Sequence, residues 1–308
     1  MQLFDLHCDT ITQYTANKED FFCKDTMVSV NELSKFQRYV QAIAIFVPDD
    51  RRGPAAEEYF NQHYAWFKHL MEKNKDVVEQ INCFADIDRV TKAGKMGAML
   101  AIEGAAALGG KLENVQRLYD CGVKMMTLTW NGDNELASGH DTQKGFTPFG
   151  RDAVKEMERV GMIVDASHLN DVGFWELCEF AEKPFLETHS NIRSVCGHRR
   201  NVTEERFAEY VKRGGIIGLN LCQRFIVPEG PAVADELFKH VYRMLELGGE
   251  NVVACGSDFD GASIDESLNT PVKFAGFADY MLQHGISESV VNKIMFENAY
   301  NFFKKNMK

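Results

Sequence analysis

The sequence carries a small set of histidines and acids whose types suit metal chemistry. His7 and Asp9 stand one residue apart in "FDLHCDT". Glu103 follows in "GAMLAIEG", His168 in "GMIVDASH", His189 in "KPFLETHS", and Asp258 and Asp260 in "NVVACGSDFDG". Taken singly, each has a structural reading. His7 and Asp9 could be a hydrogen-bonded pair at a strand end, Glu103 a cap for the segment that follows, and His168 a satisfied core histidine. At one shared rim that reading fails, because uncompensated carboxylates and imidazoles are costly to desolvate. A metal centre offsets the cost. Three histidines with carboxylates suit zinc, which takes nitrogen and oxygen ligands, better than magnesium or calcium, which prefer oxygen. Five candidate ligands exceed the four of a simple zinc site, and a two-metal site with a shared carboxylate would use them all.

Such convergence needs elements that deliver each group to one place. Short apolar, β-rich runs recur along the chain: "QLFDL", "YVQAIAIFV", "GAMLAIEG", "KMMTLTW", "GMIVDASH", "KPFLETHS", "GGIIGLN" and "NVVACGSD". Side chains alternate faces along a strand, so His7 and Asp9 would point the same way at the end of the first run. Helical patterns lie between most runs. "AAEEYFNQHYAWFKHLMEK" aligns Phe60, Tyr64, Phe67 and Met71 on one stripe, and "FGRDAVKEMERVG" does the same with Val154, Met157 and Val160. Gly122, Gly161 and Gly214 each follow a helical stretch, as a left-handed C-terminal cap requires. Eight strands alternating with helices predict an α/β fold, a (β/α)8 TIM-like barrel, with 1–308 as one domain. Barrel enzymes build their sites at the C-terminal ends of the strands, where these ionisable groups stand. Residues 14–36 and 221–237 read as excursions from the barrel.

The 308 residues are 45% apolar and 26% charged, as expected of a chain with a full core. A formal charge of -11 argues against a nucleic-acid partner, whose phosphates want a basic face. The 8 cysteines are scattered with no Cys-x-x-Cys pair, which reads as reduced thiols in the cytoplasm. No signal peptide, lipid-anchor signal or membrane span is expected. His63, His69, His240 and His284 read as surface or packing residues. His140 and His198 fall in loops on the expected active face, and Arg199 and Arg200 in "GHRRNVTEE" are open to either a surface or an anion-holding role. Nucleotide-binding and serine-hydrolase motifs are absent from the sequence.

The motifs "DLHCDT", "AIEGAAALGG", "LTWNGDNELASG", "VDASHLND", "THSNIRSVCGHRRNVTEE" and "GSDFDG", in this order across residues 4–261, resemble the renal or membrane dipeptidases, zinc dipeptidases of the amidohydrolase superfamily. The resemblance implies a barrel of the metal-dependent hydrolase type, a zinc-dependent dipeptidase that cleaves free dipeptides through a hydroxide shared by two metals. His7, Asp9 and Glu103 would serve one zinc, with Glu103 as the bridge, and His168 and His189 the other. Asp258 would handle protons and Arg200 the dipeptide's free carboxylate; a homodimer is also implied. One departure stands out. Where vertebrate members have a histidine that contacts the scissile carbonyl, this chain has Trp130, so that role passes to His140 in the same loop or is left to zinc. Because the metal groups do not themselves specify a peptide, another small amide or a β-lactam is the alternative substrate. A barrel that has lost catalysis and serves only in binding is a further alternative.

Overall fold

A computed structural model describes residues 1–13, 20–22 and 25–307. Its strands are β1 (Gln2–Asp5), β2 (Arg38–Phe46), β3 (Val78–Gln80), β4 (Met96–Glu103), β5 (Met125–Thr127), β6 (Ile163–Asp165), β7 (Ile217–Leu219) and β8 (Val253–Cys255). All pairings between them are parallel, running β6-β5-β4-β2-β1-β8-β7, with β3 added beside the start of β4. Parallel neighbours need crossovers, which the intervening helices supply, including Pro54–Lys73, Pro148–Val160 and Glu204–Arg213.

The gap between β6 and β7 is closed by "KPFLETHS". This run, read from sequence as the sixth strand, makes only single parallel bridges, Asp165 to Leu186 and Glu187 to Ile217. Its backbone leaves the ladder early because Thr188 and His189 turn their amides to side chains, Asp165 Oδ1 and Ser167 Oγ. The barrel is a closed ring nonetheless. β3 was not expected: in "VEQ" only Val78 is fully buried, so no apolar run marks it.

Period-two alternation sorts the core into two layers. Phe4, Leu6, Val40, Ala42, Ala44, Met99 and Ala101 face one cluster, which Phe296, Phe302 and Phe303 of the last helical segments also join. Leu3, Ile43, Ile45, Leu100 and Ile102 face the other, against the helices. Phe4 stacks on Phe303 at 5.3 Å, so the chain's C-terminal helix Asn298–Asn306 packs against the starting end of β1 and leaves the opposite mouth open. The expected helical stripes are present: Phe60 and Phe67 are buried in Pro54–Lys73, with Tyr64 and Met71 half-buried, and Val154, Met157 and Val160 are buried in Pro148–Val160. Gly161 and Gly214 are left-handed caps at φ 94° and 69°, and Gly122 has φ 94°. Residues 14–19, 23 and 24, part of the first expected excursion, lie outside the described residues. The second excursion contains the short helix Gln223–Ile226.

Candidate active site

Beyond the C-terminal ends of the strands lies a cavity of about 630 Å³. Asp9, Glu103, His168 and Asp258 line it, together with Phe46, Trp130, Asn131, Arg224 and Phe225. His7 Nε2 stands 3.4 Å from Asp9 Oδ2 and 3.7 Å from Glu103 Oε2. On the other side Glu103 Oε1 lies 2.8 Å from His168 Nε2 and 3.5 Å from His189 Nε2. Asp258 joins His7 and His189 in a third group with ligand atoms within 4.8 Å of one another. All six of these side chains are buried.

Supporting hydrogen bonds settle which ring nitrogen is bare. Thr188 Oγ1 donates to Asp165 Oδ2 at 2.6 Å, so at 2.7 Å from His189 Nδ1 it can only accept, and His189 carries its proton on Nδ1. His168 Nδ1 lies 3.0 Å from the carbonyl oxygen of the Asn131 side chain and donates in the same way. Both Nε2 atoms are then lone pairs, and they lie 3.0 Å apart with Glu103 Oε1 beside them. With the Glu103 carboxyl ionised, three acceptors converge without a proton to share. His7 Nε2 and Asp9 Oδ1 are likewise buried with no hydrogen-bond partner among the described residues. Acceptors so arranged fit a cation, and imidazole nitrogens mixed with carboxylates fit a transition metal of zinc's type.

The crowding also governs proton affinity: with no cation bound, Glu103 and His7 hold protons more tightly than usual. Burial, and after it the charge of Asp9, pushes the Glu103 carboxyl up to about 8. Burial also raises Asp258 and holds His168 and His189 well below the usual imidazole range. Burial opposes charge on His7 too, but Asp9 and Glu103 outweigh it and hold that imidazole well above its ordinary value.

Local backbone reinforces the arrangement. His168 and Asp258 adopt left-handed conformations, φ 67° and 66°, which cost a non-glycine residue of order 1–2 kcal/mol and persist only where the surroundings fix them. Asn220 Nδ2 donates to Asp258 Oδ2 at 3.1 Å. A Cβ at Gly261 would collide with Asp9 Oδ2, so a side chain there would have to displace that carboxylate.

Asp260, expected at the same mouth, does not join the ligand groups. Its carboxylate accepts from Thr10 Oγ1 at 2.6 Å and from Met27 N at 2.8 Å, tying the segment after β1 to the segment after β8. Arg200 is buried; Nη1 donates to Ser190 Oγ and Nη2 to the His189 carbonyl, while Nε has no partner among the described residues. Arg199 is exposed and pairs with Asp141. His140 packs on the His168 ring, centroids 5.7 Å apart, and its Nδ1 is buried without a partner among the described residues. Burial, then the charges of Arg200 and Arg199, lowers His140 to about 3, so its ring is neutral. Trp130 stands edge-on to Phe46 at 4.8 Å as one wall of the cavity. His198 accepts from Arg200 N at 3.1 Å and packs on Phe225.

The residues that support the ligands went unread in the sequence. They are Asp165, Thr188, Asn131, Asn220 and Asp5, whose carboxylate accepts from Ser257 N at 2.8 Å and pins the end of β1 to the end of β8.

A parallel barrel with histidines and carboxylates gathered at its C-terminal mouth defines a hydrolase of the metal-dependent TIM-barrel class. The chain belongs to the membrane dipeptidase family, peptidase family M19, whose profile matches residues 1–307. It is accordingly a metallopeptidase-type hydrolase of dipeptides. Among curated proteins, an uncharacterized protein of Klebsiella pneumoniae from the pqqA 5′ region is 28% identical over 255 residues, covering 79% of this chain and 94% of that one. An uncharacterized dipeptidase of Schizosaccharomyces pombe is 29% identical, covering 68% of this chain and 53% of its own length. The fold is shared with the dipeptidase AC, a metallo peptidase, at TM-score 0.93 and 24% identity over 99% of this chain and 98% of that one. It is shared also with a metallo peptidase of Rhodobacter sphaeroides solved with a phosphinate mimic of the dipeptide L-Ala-D-Ala, at TM-score 0.89 and 24% identity over 99% of each chain.

Proposed function

We propose that the chain hydrolyses the peptide bond of free dipeptides at a site holding two zinc ions. His7, Asp9 and Glu103 would hold one ion, and Glu103, His168 and His189 the other. The observation that carries the proposal is the division of Glu103: Oε1 faces the bare nitrogens of His168 and His189, and Oε2 faces His7. When bound, the zinc ions supply a nucleophile from water near neutral pH and stabilise negative charge on the carbonyl oxygen.

The chain's own side chains do the rest. Asp258 takes a proton from the attacking water and returns it to the departing amine, because an amide nitrogen leaves poorly unless protonated. Asn220 holds Oδ2 of Asp258, leaving Oδ1 for the proton. Arg200 holds the α-carboxylate: its unpartnered Nε–H is a buried donor, a costly arrangement that a substrate anion relieves. His140, neutral beside His168, donates to the carbonyl oxygen in place of the histidine that Trp130 replaces, and Trp130 walls the substrate in. The dipeptide mimic bound by the Rhodobacter sphaeroides metallo peptidase supports a substrate of this size.

Metal analysis and turnover on one sample test the proposal. The purified protein carries about two zinc ions per chain, and Glu103→Ala loses most of both because the bridge serves both. Full activity in a metal-free protein overturns it.

A further inference from the structure

We propose that Arg224 reads the side chain of the substrate's C-terminal residue, so that dipeptides ending in aspartate or glutamate are preferred. The inference rests on the proposed reading in which Arg200 holds the α-carboxylate.

The cavity presents carboxylates from Asp9, Glu103, Asp258, Asp260 and Glu229; among the described residues lining it, Arg224 is the one arginine or lysine. The other arginines around the mouth are committed. Arg193 pairs with Asp171, Arg199 with Asp141 and Arg52 with Asp49, and Arg200 is turned to Ser190 and the His189 carbonyl. Arg224 has no carboxylate partner among the described residues. Its neighbours are the Cys222 thiol and the Phe225 ring, neither of which neutralises it.

The base of this side chain is fixed. In the helix Gln223–Ile226, Gln223 N donates to the Ser263 carbonyl at 3.0 Å, and the Phe225 carbonyl accepts from Asn201 Nδ2 at 2.8 Å. The Arg224 carbonyl accepts from the Cys196 thiol at 3.6 Å. A free cation is thus presented at the cavity from a pinned turn.

Its position relative to Arg200 selects the substrate group. The guanidinium carbons of Arg200 and Arg224 lie 5.9 and 5.8 Å from the centre of the same Phe225 ring. Both charges also act on His140. Two guanidiniums sharing one ring match two carboxylates on one residue: the α-carboxylate for Arg200, the side-chain carboxylate for Arg224. A neutral side chain leaves Arg224 in water, and a lysine side chain meets like charge.

The test compares kcat/KM for Ala-Glu, Ala-Gln and Ala-Lys, each with an L- or a D-residue at the C-terminus, on zinc-loaded protein. Because Gln is isosteric with Glu, the Glu-to-Gln ratio measured on one preparation isolates the charge. Wild type favours Glu over Gln by about tenfold, mostly through KM, and the preference shrinks with added salt. Arg224→Met brings the ratio near one, and Arg224→Glu turns the preference towards Ala-Lys. A wild-type ratio near one overturns the inference, as does an Arg224→Met loss equal on Glu and Gln, which would place Arg224 on the α-carboxylate instead. No hydrolysis of any dipeptide would sink the underlying dipeptidase reading, whereas hydrolysis without acid preference sinks only the role of Arg224.

Discussion

Asp258 holds its left-handed backbone at φ 66° while the side chain is buried and raised in pKa by that burial. Asparagine tolerates the same backbone and the same hydrogen-bond geometry but accepts no proton. Asp258→Asn therefore isolates proton transfer: turnover falls by the roughly 100- to 10,000-fold usual for a general acid–base group, with zinc content unchanged. A plain metal ligand at this position would instead lose zinc and regain rate when zinc is added. Arg200 needs a different design, because its Nη2 donates to the carbonyl of His189, and truncating it would disturb the ligand it supports. Altering the substrate avoids this. A dipeptide with an amidated C-terminus loses the anion, and its kcat/KM drops by the equivalent of about 2–5 kcal/mol, the usual cost of removing one partner from a desolvated charge pair. Equal rates on acid and amide would remove Arg200 from substrate binding.

At the scale of elements, the strand ends reveal why the ligands were legible in the sequence and their supports were not. Every metal-ligand candidate sits at or just past an apolar run, where period-two alternation and barrel logic point to it. Two of the supports are acids within the strands themselves, Asp5 before His7 and Asp165 before His168, and Glu187 stands likewise before His189. An acid two or three residues ahead of a histidine on three runs was a visible pattern. Its meaning lay in partners far along the chain, such as Arg206 for Glu187 and Ser257 for Asp5. Asn131 in "LTWNGDNELASG" and Asn220 at the end of "GGIIGLN" stood in segments already read, but nothing local ties either to its site partner, 37 or 38 residues away. Thr188→Val tests what such support contributes. Valine matches threonine in shape but takes away the oxygen that fixes the His189 tautomer, so zinc affinity falls by about 10- to 100-fold, measured by competition with a chelator. Unchanged affinity would mean that packing alone orients His189.

Across the whole molecule, the loop bearing Arg200 is tied to the outer helices through a histidine that the sequence marked only as a surface or packing residue. His240, on the helix Ala234–Glu246, is fully buried; Nδ1 accepts from Ile192 N at 3.3 Å, and Nε2 donates to the Ile226 carbonyl at 2.9 Å. One ring thus joins three segments, among them the loop after His189 and the short helix bearing Arg224. Burial depresses this imidazole to about 4, from 6.5 for a free histidine. Between these values the unfolded chain binds a proton that the folded chain refuses, so stability is full above about pH 6.5 and is lost as pH falls towards 4. Glutamine can accept from Ile192 and donate to Ile226 without titrating. On going from pH 7 to pH 4.5, wild type should therefore lose about 2 kcal/mol more unfolding free energy than His240→Gln, by denaturant titration at each pH. The comparison matters because many carboxylates and the ligand histidines titrate over the same range in both proteins, and their contributions cancel in the difference. Parallel losses in the two proteins would show that His240 takes up its proton equally well in the fold, and that the Ile192 and Ile226 contacts do not depend on its neutral ring.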